Sequence, residues 1–96
     1  MKYKVGDKVI YKTYKGDYSK YAVYGFEDLL EEYNIIGEIR KVKPHDHCYD
    51  VNFYKYISNR KIIKKMEQFY GGYDYTINEE NLKLISNNIR RLQYEI

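Results

Sequence analysis

The sequence predicts a mainly β domain of the α+β class, a five-stranded small barrel with two short inserted helices at about residues 26–33 and 59–70. Strand-like stretches of alternating apolar side chains recur along the chain, and Gly, Pro or acidic residues separate them. Two other stretches carry apolar residues at helical spacing. A chain of 96 residues accommodates one domain, so we expect residues 1–96 to form a single unit, with residues 87–96 as a C-terminal tail.

The first strand is predicted over residues 2–14. Gly6 and Asp7 supply an entry turn, and the apolar and polar side chains that follow alternate as they do in a strand. Residues 15–17 (KGD) indicate a loop. Residues 18–24 fit either a loop or a short irregular strand, and both alternatives stay open.

The first helix follows from one apolar stripe, formed at positions i, i+3, i+4 and i+7 by Phe26, Leu29, Leu30 and Tyr33. Asn34 is suited to cap its C-terminal end. The opposite face is acidic and is expected to point to solvent; it consists of Glu27, Asp28, Glu31 and Glu32. Negative charge near a helix N-terminus is favoured by the helix dipole.

A β-hairpin is predicted next. Residues 35–43 and 48–56 both alternate, and residues 44–47 (PHDH) between them carry the composition of a turn. Pro44 presets the backbone angle at the second position of such a turn, and Asp46 favours local hydrogen bonds to the backbone.

The second helix is expected to start after Ser58 or Asn59, either of which can cap it, and to end at Gly71 and Gly72. Its predicted inner face comprises Ile62, Ile63, Met66, Phe69 and Tyr70, and its outer face Lys61, Lys64, Lys65 and Gln68. A short strand at residues 73–77, a single helical turn at 78–81 and a closing strand at 82–85 complete the predicted fold.

Four short phrases occur in the order found in one group of small barrels: residues 5–9 (VGDKV), 36–39 (IGEI), 49–53 (YDVNF) and 78–85 (NEENLKLI). In this order the chain resembles small SH3-like barrels, and more narrowly the short SH3-like proteins encoded by phages and bacterial mobile elements. The resemblance covers about two thirds of the chain. It implies a binding function without naming the ligand, because related barrels bind RNA, DNA, peptides or protein surfaces.

Composition favours an intracellular, non-catalytic protein. A single cysteine, Cys48, excludes an internal disulfide, and the N-terminus lacks the apolar core of a signal peptide, so we expect a cytoplasmic protein without a membrane span. No serine or threonine has an obvious neighbouring base, which argues against an enzyme. The 14 tyrosines are expected mostly to fill a thin core with half-buried rings.

The hairpin turn carries the one cluster with metal-ligand chemistry, namely His45, His47 and Cys48. Alternate strand residues point to opposite faces, so these side chains are not expected to converge on a zinc ion. We therefore predict neither a metal site nor a cofactor.

Two binding hypotheses remain. In the first, the protein is a non-enzymatic module that occupies the surface of a host protein. The partner would be a nuclease or a nucleoprotein complex, and an anti-CRISPR-like inhibitor is one example of such a protein. Its predicted contacts are the acidic helix face and nearby tyrosines: Glu27, Asp28, Glu31, Glu32, Tyr18, Tyr21 and Tyr24.

The alternative is a DNA- or RNA-binding accessory protein. It would use phosphate contacts from Arg60, Lys61, Lys64, Lys65, Arg90 and Arg91. The net charge of +3 is low for a nucleic-acid binder. The sequence leaves the oligomeric state open.

Overall fold

A computed structural model describes residues 1–13 and 23–85. Its sheet contains β1 (Lys8–Tyr11), β2 (Ile36–Lys43), β3 (Cys48–Asn52), β4 (Asp74–Asn78) and β5 (Leu82–Leu84). Its helices are α1 (Tyr24–Glu32) and α2 (Arg60–Phe69), and 3-10 turns occur at Pro44–Asp46 and Glu79–Asn81. The predicted loop at 15–17 and the C-terminal tail at 87–96 lie outside the described residues.

The α+β class, the five strands and the two helices are confirmed, but the sheet is open. Its strand order is β4-β3-β2-β1-β5, with every neighbouring pair antiparallel. The 3-10 turn at Glu79–Asn81 redirects the chain, so that β5 pairs with β1 instead of continuing beside β4. Within residues 1–13 and 23–85, β4 and β5 do not pair with each other. A closed barrel is therefore not confirmed.

The first strand is shorter than predicted because the entry turn occupies residues 4–7. Gly6 adopts a φ of 94°, in the region that disfavours a side chain. The Lys4 N–H donates to Asp7 Oδ2 at 3.0 Å, and the Asp7 N–H donates back to the Lys4 carbonyl at 3.0 Å. The Gly6 N–H then donates to the Ile39 carbonyl at 2.9 Å, which ties the turn to β2. The strand consequently begins at Lys8.

Helix α1 begins two residues earlier than predicted and ends as Asn34 indicates. Asn34 lies in the left-handed region, with a φ of 48°. Its N–H donates to the Glu31 carbonyl at 3.3 Å, and the Ile35 N–H donates to the Leu30 carbonyl at 3.0 Å. This pair of bonds forms a Schellman motif, and the fully buried Leu30 and Ile35 supply the hydrophobic contact that accompanies it.

The predicted hairpin is confirmed, although its second strand is shorter than the sequence indicates. β2 pairs with β3 across the Pro44–Asp46 turn, with a register shift between Ile39 and Lys41. β3 ends at Asn52, where the side-chain Oδ1 accepts the Tyr54 N–H at 2.7 Å and turns the chain out of the strand.

Helix α2 starts at the predicted cap, since Asn59 Oδ1 accepts the N–H groups of Lys61 at 3.0 Å and Ile62 at 3.3 Å. The helix ends near the predicted position, but the residue that terminates it is Tyr70 and not a glycine. Tyr70 is extended, with a φ of −152°, and no left-handed glycine closes the helix.

The core forms between the helices and one face of the sheet. Its buried cluster joins Phe26 and Leu30 of α1 and Met66 of α2 to strand residues such as Val51 and Tyr75. Most described tyrosines are buried or half-buried, as the sequence predicts; Tyr24 and Tyr73 are the exposed ones in the described ranges.

Candidate binding surface where the two helices meet

The outer face of α1 carries one aromatic residue and three carboxylates. Tyr24, Asp28, Glu31 and Glu32 are all exposed, and their spacing places them on one side of the helix. The Glu31 carboxylate also accepts the backbone N–H of Thr13 at 2.9 Å and the hydroxyl of the same residue, which attaches the segment after β1 to the helix.

Glu27 does not belong to this face, and the prediction that it does is wrong. Only 5% of Glu27 is exposed. Its Oε1 accepts the Tyr75 hydroxyl at 3.1 Å and its Oε2 the Tyr11 hydroxyl at 3.4 Å. The Val23 N–H donates to the Tyr75 hydroxyl at 2.7 Å, which links the start of the helix to β4. A buried carboxylate is tolerated here because two tyrosines from opposite parts of the sheet supply its hydrogen bonds.

Burial sets the protonation behaviour of this cluster. It raises the pKa of Glu27, and the hydrogen bonds from Tyr75 and Tyr11 only partly offset that rise. Burial likewise raises the pKa of Tyr11 to about 12, with the nearby Glu27 carboxylate as the next cause. The pKa of Tyr75 is raised for the same two main reasons, burial first and Glu27 also contributing.

A second carboxylate, Glu79, anchors the N-terminal segment. It accepts the hydroxyl of Tyr49 and, at 3.0 Å, the backbone N–H of Lys2. The Tyr49 hydroxyl in turn accepts the Tyr3 N–H at 2.9 Å. The hydrogen bond from Tyr49 lowers the pKa of Glu79. Both carboxylates therefore have a structural role.

These opposite pKa shifts predict opposite effects of pH on stability. Because the folded pKa of Glu27 is raised, its contribution to the free energy of unfolding is present below the ordinary value of about 4.3 and is lost as pH rises through the folded pKa. For Glu79 the pKa is lowered, so its contribution is present above about 4.3 and is lost as pH falls through the folded pKa.

Urea unfolding of the wild type, Glu27→Gln and Glu79→Gln across acidic to neutral pH measures both contributions. The stability difference between wild type and Glu27→Gln should decrease with rising pH, and the difference between wild type and Glu79→Gln should increase. Differences that do not change with pH, or that change in the same direction, would contradict these assignments.

The two helices meet at Gly25, where the ring of Phe69 covers the glycine. A Cβ atom at position 25 would lie 2.9 Å from Phe69 Cζ, so only glycine allows this approach. Phe69 is 50% exposed, whereas the sequence predicts it on the buried face of α2. Tyr24, the residue before Gly25, is 59% exposed. Two exposed aromatic residues are therefore present at the helix contact, Phe69 in the contact itself and Tyr24 next to Gly25 in the chain.

The outer face of α2 is basic. It presents Arg60, Lys61, Lys64 and Lys65, all exposed as predicted. Among residues 1–13 and 23–85, ion pairs are found elsewhere, at Lys55–Glu38 (2.9 Å) and Lys43–Asp50 (3.0 Å). We call the exposed residues of the two helices together the helix-pair surface: Tyr24 and Phe69 at the contact, Asp28, Glu31 and Glu32 on α1, and Arg60, Lys61, Lys64 and Lys65 on α2.

Tyr18, Tyr21, Arg90 and Arg91 lie outside the described residues. At the hairpin turn His45 and His47 are exposed and Cys48 is buried. Among residues 1–13 and 23–85, no three His, Cys, Asp or Glu side chains are grouped to hold a metal ion.

Comparisons with family models, with curated proteins and with solved structures return no significant match to this chain. In the ranges that the structure describes, neither helix has the length and apolar character that crossing a membrane requires. The local geometry is therefore the basis for a functional proposal.

Proposed function

We propose that the protein is a non-enzymatic binding module that occupies the surface of another protein through the helix-pair surface. The observation that carries this proposal is the pair of exposed aromatic residues at the helix contact: Phe69, whose ring covers Gly25, and Tyr24, the residue before Gly25. Large aromatic side chains exposed together are costly in water and are enriched among the residues that dominate binding energy.

The charges on the two helices favour a protein partner. The carboxylates of α1 repel phosphate groups, whereas a protein surface can present basic residues to α1 and acidic residues to α2. Exposed aromatic residues together with charged residues on the same two helices also match the composition of protein interfaces, which are enriched in aromatic side chains and polar at the rim. Because Glu27 is buried, the acidic face of α1 has three exposed carboxylates instead of the predicted four, and the charge difference between α1 and α2 persists.

The SH3-like assignment and the phage or mobile-element origin are parts of the same proposal. The strand order β4-β3-β2-β1-β5, with a 3-10 turn before the last strand, supports an SH3-like arrangement. Following the resemblance of the sequence to SH3-like proteins of phages and mobile elements, we propose a host nuclease or nucleoprotein complex as the partner, with the protein acting as an inhibitor by covering its surface.

A second candidate function is nucleic-acid binding through α2. The specific observation in its favour is the exposure of Arg60, Lys61, Lys64 and Lys65 on one helix, outside the ion pairs of the described residues. Such a face suits phosphate contacts, whose affinity would fall steeply with salt.

A capture experiment with matched variants tests the proposed surface. We expect the tagged protein to retain a specific partner from host-cell lysate. The double variant Tyr24→Ala, Phe69→Ala should reduce that capture by about tenfold or more, as loss of aromatic hot-spot contacts does. Leu84→Ala is the control, since Leu84 is 52% exposed but lies on β5. Unchanged capture by the double variant, or an equal loss in the control, would contradict the proposal.

A further inference from the structure

A cavity of about 390 Å³ opens at the C-terminal end of α2, next to Phe69 in the chain. It is lined by Tyr54, Glu67, Gly71, Gly72 and Tyr73. The two tyrosines come from separate segments, one after β3 and one before β4, and Glu67 belongs to α2. Two aromatic residues, one carboxylate and a glycine backbone thus surround one opening.

The Tyr54 side of this cavity is fixed by hydrogen bonds. The Tyr54 hydroxyl donates to the Tyr70 carbonyl at 3.2 Å, and the Tyr70 hydroxyl donates to the Asp74 carbonyl at 2.6 Å. A Cβ atom at Gly72 would approach Tyr70 Oη to 2.8 Å, so glycine is needed to keep this arrangement. The other aromatic residue, Tyr73, is 79% exposed, so core packing does not account for a large aromatic side chain at this position.

The cavity carries negative charge on an otherwise basic helix. Glu67 is exposed, and no described lysine or arginine forms an ion pair with it. It lies close enough to Tyr54 that, after burial, its charge is the next cause raising the pKa of that tyrosine to about 12. The negative charge of Glu67 is therefore felt inside the cavity that Tyr54 and Tyr73 line.

We propose that this cavity binds a cationic side chain, an arginine or a lysine including its methylated forms, presented by the protein partner. The faces of aromatic rings carry negative electrostatic potential and attract cations, and the Glu67 carboxylate adds a full opposite charge. The same two features repel anions. The glycines let the incoming side chain approach the backbone. The inference deepens the proposed function, because it supplies the partner's chemistry at one point of contact.

Amide chemical shifts of the full chain, followed by NMR, test this site without knowledge of the partner. The probes are N-acetyl-arginine amide and N-acetyl-trimethyllysine amide, with N-acetyl-glutamine amide as the uncharged comparison. Saturable shifts at Gly71, Gly72 and Tyr73 are expected with one or both cations, and the probe that binds identifies the side chain. Equal shifts with the uncharged probe, or no saturable shift with either cation, would overturn the proposal.

Two variants and their control sharpen the measurement. Tyr73→Ala and Glu67→Gln should each weaken cation binding about threefold or more, as loss of a ring face or of the charge predicts. Glu80→Gln alters an exposed carboxylate outside this cavity and should leave binding unchanged. Unaltered affinity in both cavity variants would contradict the site. The variant Tyr24→Ala, Phe69→Ala should still bind the cation, so failure of the capture experiment and failure of this one are distinguishable.

Discussion

Replacement of Phe26 by alanine is expected to lower the free energy of unfolding by about 3–5 kcal/mol, the usual cost of removing a buried aromatic ring. Phe26 is 1% exposed. Its ring centroid lies 4.8 Å from that of Tyr75, 5.5 Å from Tyr70 and 6.3 Å from Phe53. One side chain therefore joins α1 to β4, to the segment after α2 and to the end of β3. Its removal leaves a cavity at the point where all of these pack.

Urea unfolding followed by circular dichroism measures this loss, and Phe69→Ala is the matched control. The same chemical change at a half-exposed ring should cost about 1–2 kcal/mol, clearly less than at Phe26, since only about half of the Phe69 side chain is buried. Equal losses for the two variants would contradict the assignment of Phe26 to the core and Phe69 to the surface. A stable Phe69→Ala variant also ensures that reduced capture reports on binding.

The second large effect is expected at Gly37, on β2 opposite Val9 of β1. A Cβ atom there would come within 2.7 Å of Phe53 Cε1 and would also collide with Val51. Both neighbours are fully buried core residues that have little room to move. Gly37→Ala should therefore reduce the free energy of unfolding by about 1–3 kcal/mol through overpacking.

Gly71→Ala provides the comparison for this prediction. A Cβ atom at Gly71 would meet nothing within 4 Å, so alanine should change stability by about 0.5 kcal/mol or less there. Thermal or urea unfolding of both variants distinguishes the crowded position from the open one. A Gly37→Ala protein as stable as the wild type would show that the sheet packs less tightly against Phe53 than the structure indicates.

The features that the sequence predicts correctly are local ones. Asn34 and Asn59 mark helix ends because capping depends on a few neighbouring backbone groups. The hairpin at the Pro44–Asp46 turn was predictable for the same reason, since turn chemistry and strand alternation both lie within a short segment.

The features that the sequence misses depend on distant contacts. Glu27 lies among acidic residues on α1, and its burial is decided by the hydroxyls of Tyr11 on β1 and Tyr75 on β4. Phe69 lies at helical spacing from Ile62 and Met66, which predicts burial, yet its exposure depends on where Gly25 allows the two helices to meet. Barrel closure likewise depends on pairing between strands at opposite edges of the sheet, which no local pattern reports.

The central claim is that the helix-pair surface binds a protein. The most direct measurement is photocrosslinking in host-cell lysate with p-benzoylphenylalanine in place of Tyr24 or Phe69, and in place of Leu84 as the control. Adducts at positions 24 and 69 that resist nuclease and are removed by protease, without an adduct at position 84, are the predicted result. Adducts removed by nuclease, or formed equally at position 84, would contradict the claim.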